Sequence, residues 1–150
     1  MPASDASKIP PATASVSPSA RTVLVIDDDK AVLHSLSMLL EDMGFRVVTA
    51  ADGVEGLRKF RANPPDVTLT DIIMPEKEGI GLIIELRRAY PGAKIIAMSG
   101  GGRVGNTDFV EIATALGADA GLQKPFDEEQ LAAALRSILE GRSAARASAA

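Results

Sequence analysis

The stretch VLVIDDDK (Val23–Lys30) runs four apolar residues straight into three carboxylates. Four consecutive apolar residues read as a strand buried on both faces, as in a parallel sheet covered by helices. Like charges at the end of such a strand repel, and burying them is costly unless something cationic compensates. The stretch therefore predicts a core strand that ends at a charged site.

Working outward, strand and helix periods alternate. Leu33, Leu36, Leu40 and Met43 recur at helical spacing and Gly44 offers a stop. FRVVTA (45–50) reads as a strand, and Val54, Leu57 and Arg61 mark a short helix ended by Pro64–Pro65. DVTLT (66–70) is a strand leading into Asp71, followed by a helix carrying Leu82, Ile83 and Leu86 and closed by Pro91–Gly92. KIIAMS (94–99) is a strand, then comes a glycine-rich loop, and Asp108 with Glu111 forms a capping-box pattern opening a fourth helix. AGLQ (120–123) is a short strand. Asp127 with Gln130 repeats the cap pattern before Leu131, Leu135 and Ile138. Five strands alternating with five helices argue for an α/β chain with a parallel sheet covered on both faces. Ligands of such sheets bind outside the carboxyl ends of the strands.

The 150 residues suit one domain with a sizeable core. Residues 1–20 are mostly Ala, Ser and Pro, and 141–150 nearly all Ala, Ser and Arg. Both read as flexible tails unable to offset their ordering entropy, although the second could instead extend the last helix. The net charge of −4 combines zero in 1–20 and +2 in 141–150, leaving −6 for 21–140. An acidic body without a basic stripe argues against nucleic-acid binding. No apolar run approaches ~18 residues, so no membrane span is expected. The N-terminus lacks the basic start and apolar core of a secretory signal. No cysteine is present, which excludes disulfides, thiolate metal sites and a cysteine nucleophile, and fits a cytoplasmic location.

The strand ends carry the chemistry. The first ends in Asp27, Asp28 and Asp29, the third in Asp71, the fourth in Ser99 and the fifth in Lys124, while the second ends in Ala50 and Ala51 and contributes no functional side chain. Crowded carboxylates raise one another's pKa unless a cation is bound. A hard divalent ion solves this, and Mg²⁺ (or Mn²⁺) takes one or two carboxylates, waters and a phosphate. A remaining carboxylate facing a metal, an ammonium and a hydroxyl suits an aspartate nucleophile on phosphorus. The cations and hydroxyl would stabilise the equatorial oxygens of the transferring group.

With these motifs in place, residues 21–140 resemble a response-regulator receiver domain of two-component signalling. The resemblance implies a flavodoxin-like (βα)5 doubly wound fold, a five-stranded parallel sheet in the order 2-1-3-4-5. VLVIDDD resembles the first-strand acidic pair, which implies that Asp27 and Asp28 serve Mg²⁺. DVTLTDIIMP resembles the phosphoacceptor strand, implying Asp71 as phosphorylation site and metal ligand and the Ile73 carbonyl as a further ligand. IIAMSG and GLQKPF place Ser99 and Lys124 at the family's hydroxyl and lysine positions, and imply a cis Lys124–Pro125 bond. The implied role is that of a phosphoacceptor signalling protein, not an enzyme on other substrates. It would take a phosphoryl group from a sensor histidine kinase or histidine phosphotransfer protein and then bind an unidentified protein target or pass the group on. With only about ten residues after the fifth helix, the chain is expected to resemble stand-alone receivers.

Two departures stand out. The family usually carries an aromatic residue three positions before the lysine, where this chain has Gly121, so activation is expected to run through the loop after Ser99 instead. That loop, SGGGRVGNTD (99–108), is rich in glycine, which visits φ > 0 freely, and is expected to be mobile. Ile73 and Gly101 occupy the positions that tune hydrolysis, and neither can position a water, so slow self-dephosphorylation is expected.

Rival readings are weaker. GGGRVG (100–105) matches G-x-G-x-x-G, but it follows the fourth strand, and the acidic candidate Asp119 falls before the fifth strand. Asp27 and Asp29 also form the Asp-x-Asp pair of haloacid-dehalogenase-like phosphohydrolases, with Asp27 as nucleophile, but a further late acidic motif and a cap domain are missing. Asp29 reads as the cap of the first helix. His34, the sole histidine, flanks the first helix's apolar stripe and reads as a surface residue.

Overall fold

Alternate residues of Thr22–Ile26 (β1) serve opposite faces of the sheet. Val23 and Val25 join a core with Leu33, Leu36 and Leu40 of Lys30–Asp42 (α1) and Leu131, Leu135 and Ile138 of Glu128–Leu139 (α5). Leu24 and Ile26 join a second core with Leu57 and Phe60 of Gly53–Ala62 (α2) and Leu82, Ile83 and Leu86 of Gly79–Ala89 (α3). Side chains of successive strand residues point to opposite faces, so a strand covered by helices on both sides reads as a near-continuous apolar run. All of Val23–Ile26 is at most 1% exposed. The computed structural model describes residues 20–72, 79–100, 103–104 and 107–140.

The remaining elements are Arg46–Ala50 (β2), Val67–Asp71 (β3), Ile95–Ser99 (β4), Phe109–Leu116 (α4) and Ala120–Gln123 (β5). The sheet runs β2-β1-β3-β4-β5 with every pair parallel. The winding reverses between β1 and β3, and in such sheets the crevice at the reversal is the ligand-binding edge. Asp27 follows β1 directly and Asp71 is the last residue of β3, so both reach that crevice.

Local chemistry sets the helix ends. The Asp29 carboxylate caps α1, Oδ1 accepting from the backbone N–H of Ala31 at 2.9 Å and of Val32 at 3.4 Å. At its other end Gly44 takes φ 98°, while the N–H groups of Gly44 and Phe45 donate to the carbonyls of Glu41 and Leu40. This is a Schellman closure, and the left-handed position explains the glycine. Asp127 and Gln130 form the expected capping box of α5. Asp108 immediately precedes α4, as the fourth-helix reading requires.

Two expectations need correction. The inward face of α2 is Gly53, Gly56, Leu57 and Phe60, whereas Val54 is 62% exposed and Arg61 lies at the surface. Gly56 is buried because Ile26 fills the space a side chain would need, so the true stripe contains glycines that an apolar periodicity overlooks. The stretch after Ser99 is not loop throughout, since Arg103–Val104 pairs antiparallel with Thr107–Asp108. All but residue 20 of the expected tails at 1–20 and 141–150, the Ile73 carbonyl, Gly101, and most of the glycine run lie outside the described residues.

Candidate functional site

The crevice between β1 and β3 gathers residues far apart in the chain. Asp27 is 1% exposed and both of its carboxylate oxygens are engaged. Oδ1 accepts from the backbone N–H of Asp29 at 2.9 Å, and Oδ2 accepts from Lys124 Nζ at 2.8 Å. Its own N–H donates to the carbonyl of Ala50 at 3.1 Å. The end of β2, which offers no functional side chain, thus holds Asp27 through its backbone. No reading of side chains alone finds such a contact.

Asp71 is 9% exposed at the end of β3. Its Oδ1 accepts from the N–H of Ile72 at 2.9 Å and lies 3.7 Å from Lys124 Nζ. Oδ2 makes no hydrogen bond among the described residues. Burial pushes the Asp71 carboxyl above the ordinary range; the charge of Lys124 opposes this, and the charges of Asp27 and Asp28 reinforce it. Thr70 Oγ1 donates to the Asp71 carbonyl at 3.0 Å, a support that the sequence reading missed because a threonine in a strand looks like ordinary β-branched filler.

Asp28 is exposed at the mouth of the crevice. Asp27, Asp28 and Asp71 each offer an oxygen, all three within 4.8 Å of one another. Three hard oxygen donors at that spacing suit a small divalent cation such as Mg²⁺. Ser99 ends β4 at 3% exposure, and its carbonyl accepts from the Lys124 N–H at 2.6 Å, which ties the hydroxyl-bearing strand to the lysine. The Lys124–Pro125 bond is cis.

The structure therefore brings Asp27, Asp28, Asp71, Ser99 and Lys124 to one edge of the sheet. It keeps Asp29 out of the site as a helix cap, and it leaves His34 exposed on α1. Asp119 lies at the amino end of β5, away from the crevice, where its carboxylate binds the Ile95 N–H and Arg87. That placement removes it as a ribose ligand. No helix among the described residues is long and apolar enough to cross a membrane.

Known proteins resemble this chain in sequence and fold. The profile of the response regulator receiver domain matches residues 23–136. The transcriptional regulatory protein PrrA of Mycobacterium tuberculosis is 38% identical over 120 residues, covering 80% of this chain and 50% of PrrA. The transcriptional regulatory protein GlrR of Escherichia coli is 35% identical over 118 residues, covering 79% of this chain and 26% of GlrR. The chain thus spans half or less of the length of these two relatives. Among solved structures, a response regulator receiver domain protein from Clostridium thermocellum superposes with a TM-score of 0.73 at 33% identity, covering 80% of this chain and 94% of that one. A CheY-like receiver domain protein from Methanospirillum hungatei gives 0.74 at 32% identity, covering 81% and 95%. The flavodoxin-like fold in the strand order 2-1-3-4-5, the match over 23–136 and these likenesses agree, and the chain belongs to the response regulator receiver domain family.

Proposed function

We propose that the chain accepts a phosphoryl group on Asp71 from a phosphohistidine of a sensor histidine kinase or histidine phosphotransfer protein. The observation that carries this reading is the contrast between the two buried carboxylates. Both oxygens of Asp27 are engaged, whereas Oδ2 of Asp71 makes no hydrogen bond among the described residues. Oδ2 is then the nucleophile: its lone pair forms the new P–O bond while the P–N bond breaks and its electron pair stays on the donor imidazole. The Lys124 ammonium and the Ser99 hydroxyl, on the neighbouring strand ends, stabilise the oxygens of the transferring group. Asp27, Asp28, Asp71 and the Ile73 carbonyl would hold Mg²⁺ or Mn²⁺, which when bound supplies the charge that balances carboxylates and phosphoryl oxygens.

Within this reading, residues 21–140 are the receiver unit, and the chain works as a phosphoacceptor in the cytoplasm. It signals by phosphorylation-dependent binding of a protein target or by passing the group on, without a nucleic acid or membrane of its own. The same contrast disfavours a phosphohydrolase with Asp27 as nucleophile, because that carboxylate is buried and each of its oxygens already accepts a hydrogen bond.

Incubation with acetyl phosphate and Mg²⁺, followed by intact-mass measurement, tests the assignment. Wild type should gain one phosphoryl mass and Asp71→Asn none. Labelling that survives in Asp71→Asn and disappears in Asp27→Asn would establish the rival.

A further inference from the structure

At the opposite end of the sheet, Arg87 near the end of α3 places all five of its N–H donors on partners. Nε and Nη2 donate to the Gly117 carbonyl at 3.0 and 2.8 Å. Nη1 donates to the carbonyls of Pro91 and Ala93, both at 2.7 Å. Nη2 also pairs with Asp119 Oδ2 at 2.7 Å, and that same oxygen accepts the Ile95 N–H at 2.9 Å. One guanidinium thus ties α3 to the turn leading into β4, to the turn leaving α4, and to the start of β5. Only a planar fork with five donors can serve this many acceptors at once.

The turn is shaped to receive it. Gly117 takes φ +139°, and a Cβ there would lie 3.2 Å from Arg87 Cβ and 3.3 Å from its Cγ. The N–H groups of Gly117 and Ala118 donate back to the carbonyls of Thr114 and Ala113, so the arginine grips the closure of α4 itself. The arginine stem packs where a side chain would stand, and its head binds the carbonyl of the same residue.

The two helices joined this way are the two that follow the reacting strand ends. α3 follows β3, which ends in Asp71, and α4 follows β4, which ends in Ser99. We propose that Arg87 makes α3 and α4 one moving unit, so that a rearrangement at Asp71 and Ser99 reaches the outer faces of both helices together. The proposal rests on the phosphoacceptor reading. It also supplies a route that needs no ring at Gly121, since the coupling lies between helices and not in β5. Arg87 acts as a positioning residue at the opposite end of the sheet from the chemistry, and its effect is a coupling between two elements, not a contribution to the reacting groups.

Relaxation-dispersion NMR on the full chain, with beryllofluoride and Mg²⁺ at partial saturation, tests it. In wild type the amides of 80–89 and 111–116 should share one exchange rate. In Arg87→Met the rates of the two helices should separate by at least about threefold, the signature of lost coupling between elements. Asp119→Asn, which keeps an acceptor for the Ile95 N–H but loses the charge, should separate them less, and it serves as the readout if Arg87→Met does not fold. A merely structural arginine would lower the melting temperature and leave one shared rate, and that result would overturn the proposal. Absence of any wild-type shift at Ile72 and Lys124 on adding beryllofluoride would overturn the phosphoacceptor reading and the coupling with it. Normal shifts there with an undivided rate in the variant would overturn the coupling alone.

Discussion

Lys124 Nζ sits 2.8 Å from Oδ2 of Asp27, across 97 positions of sequence, and 3.7 Å from Oδ1 of Asp71. In this state the ammonium belongs to the more buried carboxylate. Lys124→Met would leave Asp27 with a single backbone donor and no cation. Truncating one partner of a buried pair leaves the other charge uncompensated, so a loss of about 2 kcal/mol is expected in divalent-free buffer at neutral pH. Urea denaturation checks it, and an unchanged midpoint would show that Asp27 does not depend on the lysine.

Asp71 should itself lower the stability of the fold at neutral pH. Its carboxyl is raised above the ordinary value by burial first, with Lys124 opposing and Asp27 adding. A raised folded-state pKa means that the folded chain holds its proton more tightly than the unfolded chain. The contribution is fully present below the unfolded value of about 4 and is lost as pH rises through the folded value. Asp71→Asn should therefore stabilise the chain at pH 7, with the gain shrinking as pH falls toward ~4. Melting curves of both proteins across that range decide the point, and a gain that grows on acidification would contradict it.

Divalent cation should stabilise the folded chain through the three carboxylates. A ligand that binds only the folded state contributes about 2.7 kcal/mol at a hundred times its dissociation constant. The melting temperature of wild type should rise with Mg²⁺ and fall again with a chelator. Asp28→Asn removes the exposed donor of the cluster without disturbing a buried contact, and it should abolish most of the rise. An equal rise in the variant would place the metal elsewhere.

Gly56→Ala tests the close approach of α2 to β1. Alanine improves helix propensity by about 1 kcal/mol, yet its Cβ would lie 2.5 Å from Ile26 Cδ1 and 2.9 Å from Cγ1. Ile26 is fully buried. A net loss of about 1–2 kcal/mol is expected from overpacking. In an Ile26→Val background, which removes Cδ1 but keeps the γ-carbon at 2.9 Å, the loss should be smaller, and a double-mutant cycle measures the difference.

Thr68 on β3 is 0% exposed, and its Oγ1 has no hydrogen-bond partner among the described residues. Valine keeps the branched shape that a strand favours and removes the unpartnered hydroxyl. Thr68→Val should raise stability by about 1 kcal/mol, seen as a higher denaturation midpoint. A lower midpoint would mean that the hydroxyl has a partner in solution.

Much of the architecture was legible because its signals are local. Val23–Ile26 must be a doubly covered strand, since four apolar side chains on alternating faces leave none for solvent. Asp29, Gly44 and Asp127 announce helix ends through their own backbone chemistry. The inward face of α2 was misread because Gly53 and Gly56 carry no apolar signal, and Val54 carries one while facing out. The ribbon at Arg103–Val104 and Thr107–Asp108 lay inside a stretch whose glycines suggested only loop.

By itself the sequence determined the order of strands and helices, the caps, and which residues stand at strand ends, because each depends on neighbours a few positions away. Tertiary structure alone decided how the five site residues divide their contacts. Packing across some twenty to a hundred positions sets whether Lys124 leans on Asp27 or Asp71, that Ala50 holds Asp27 by its carbonyl, and that Asp119 serves Arg87 instead of a ligand. Hydrogen bonds and burial are properties of groups brought together in space, and the packing of the sheet supplies those distances.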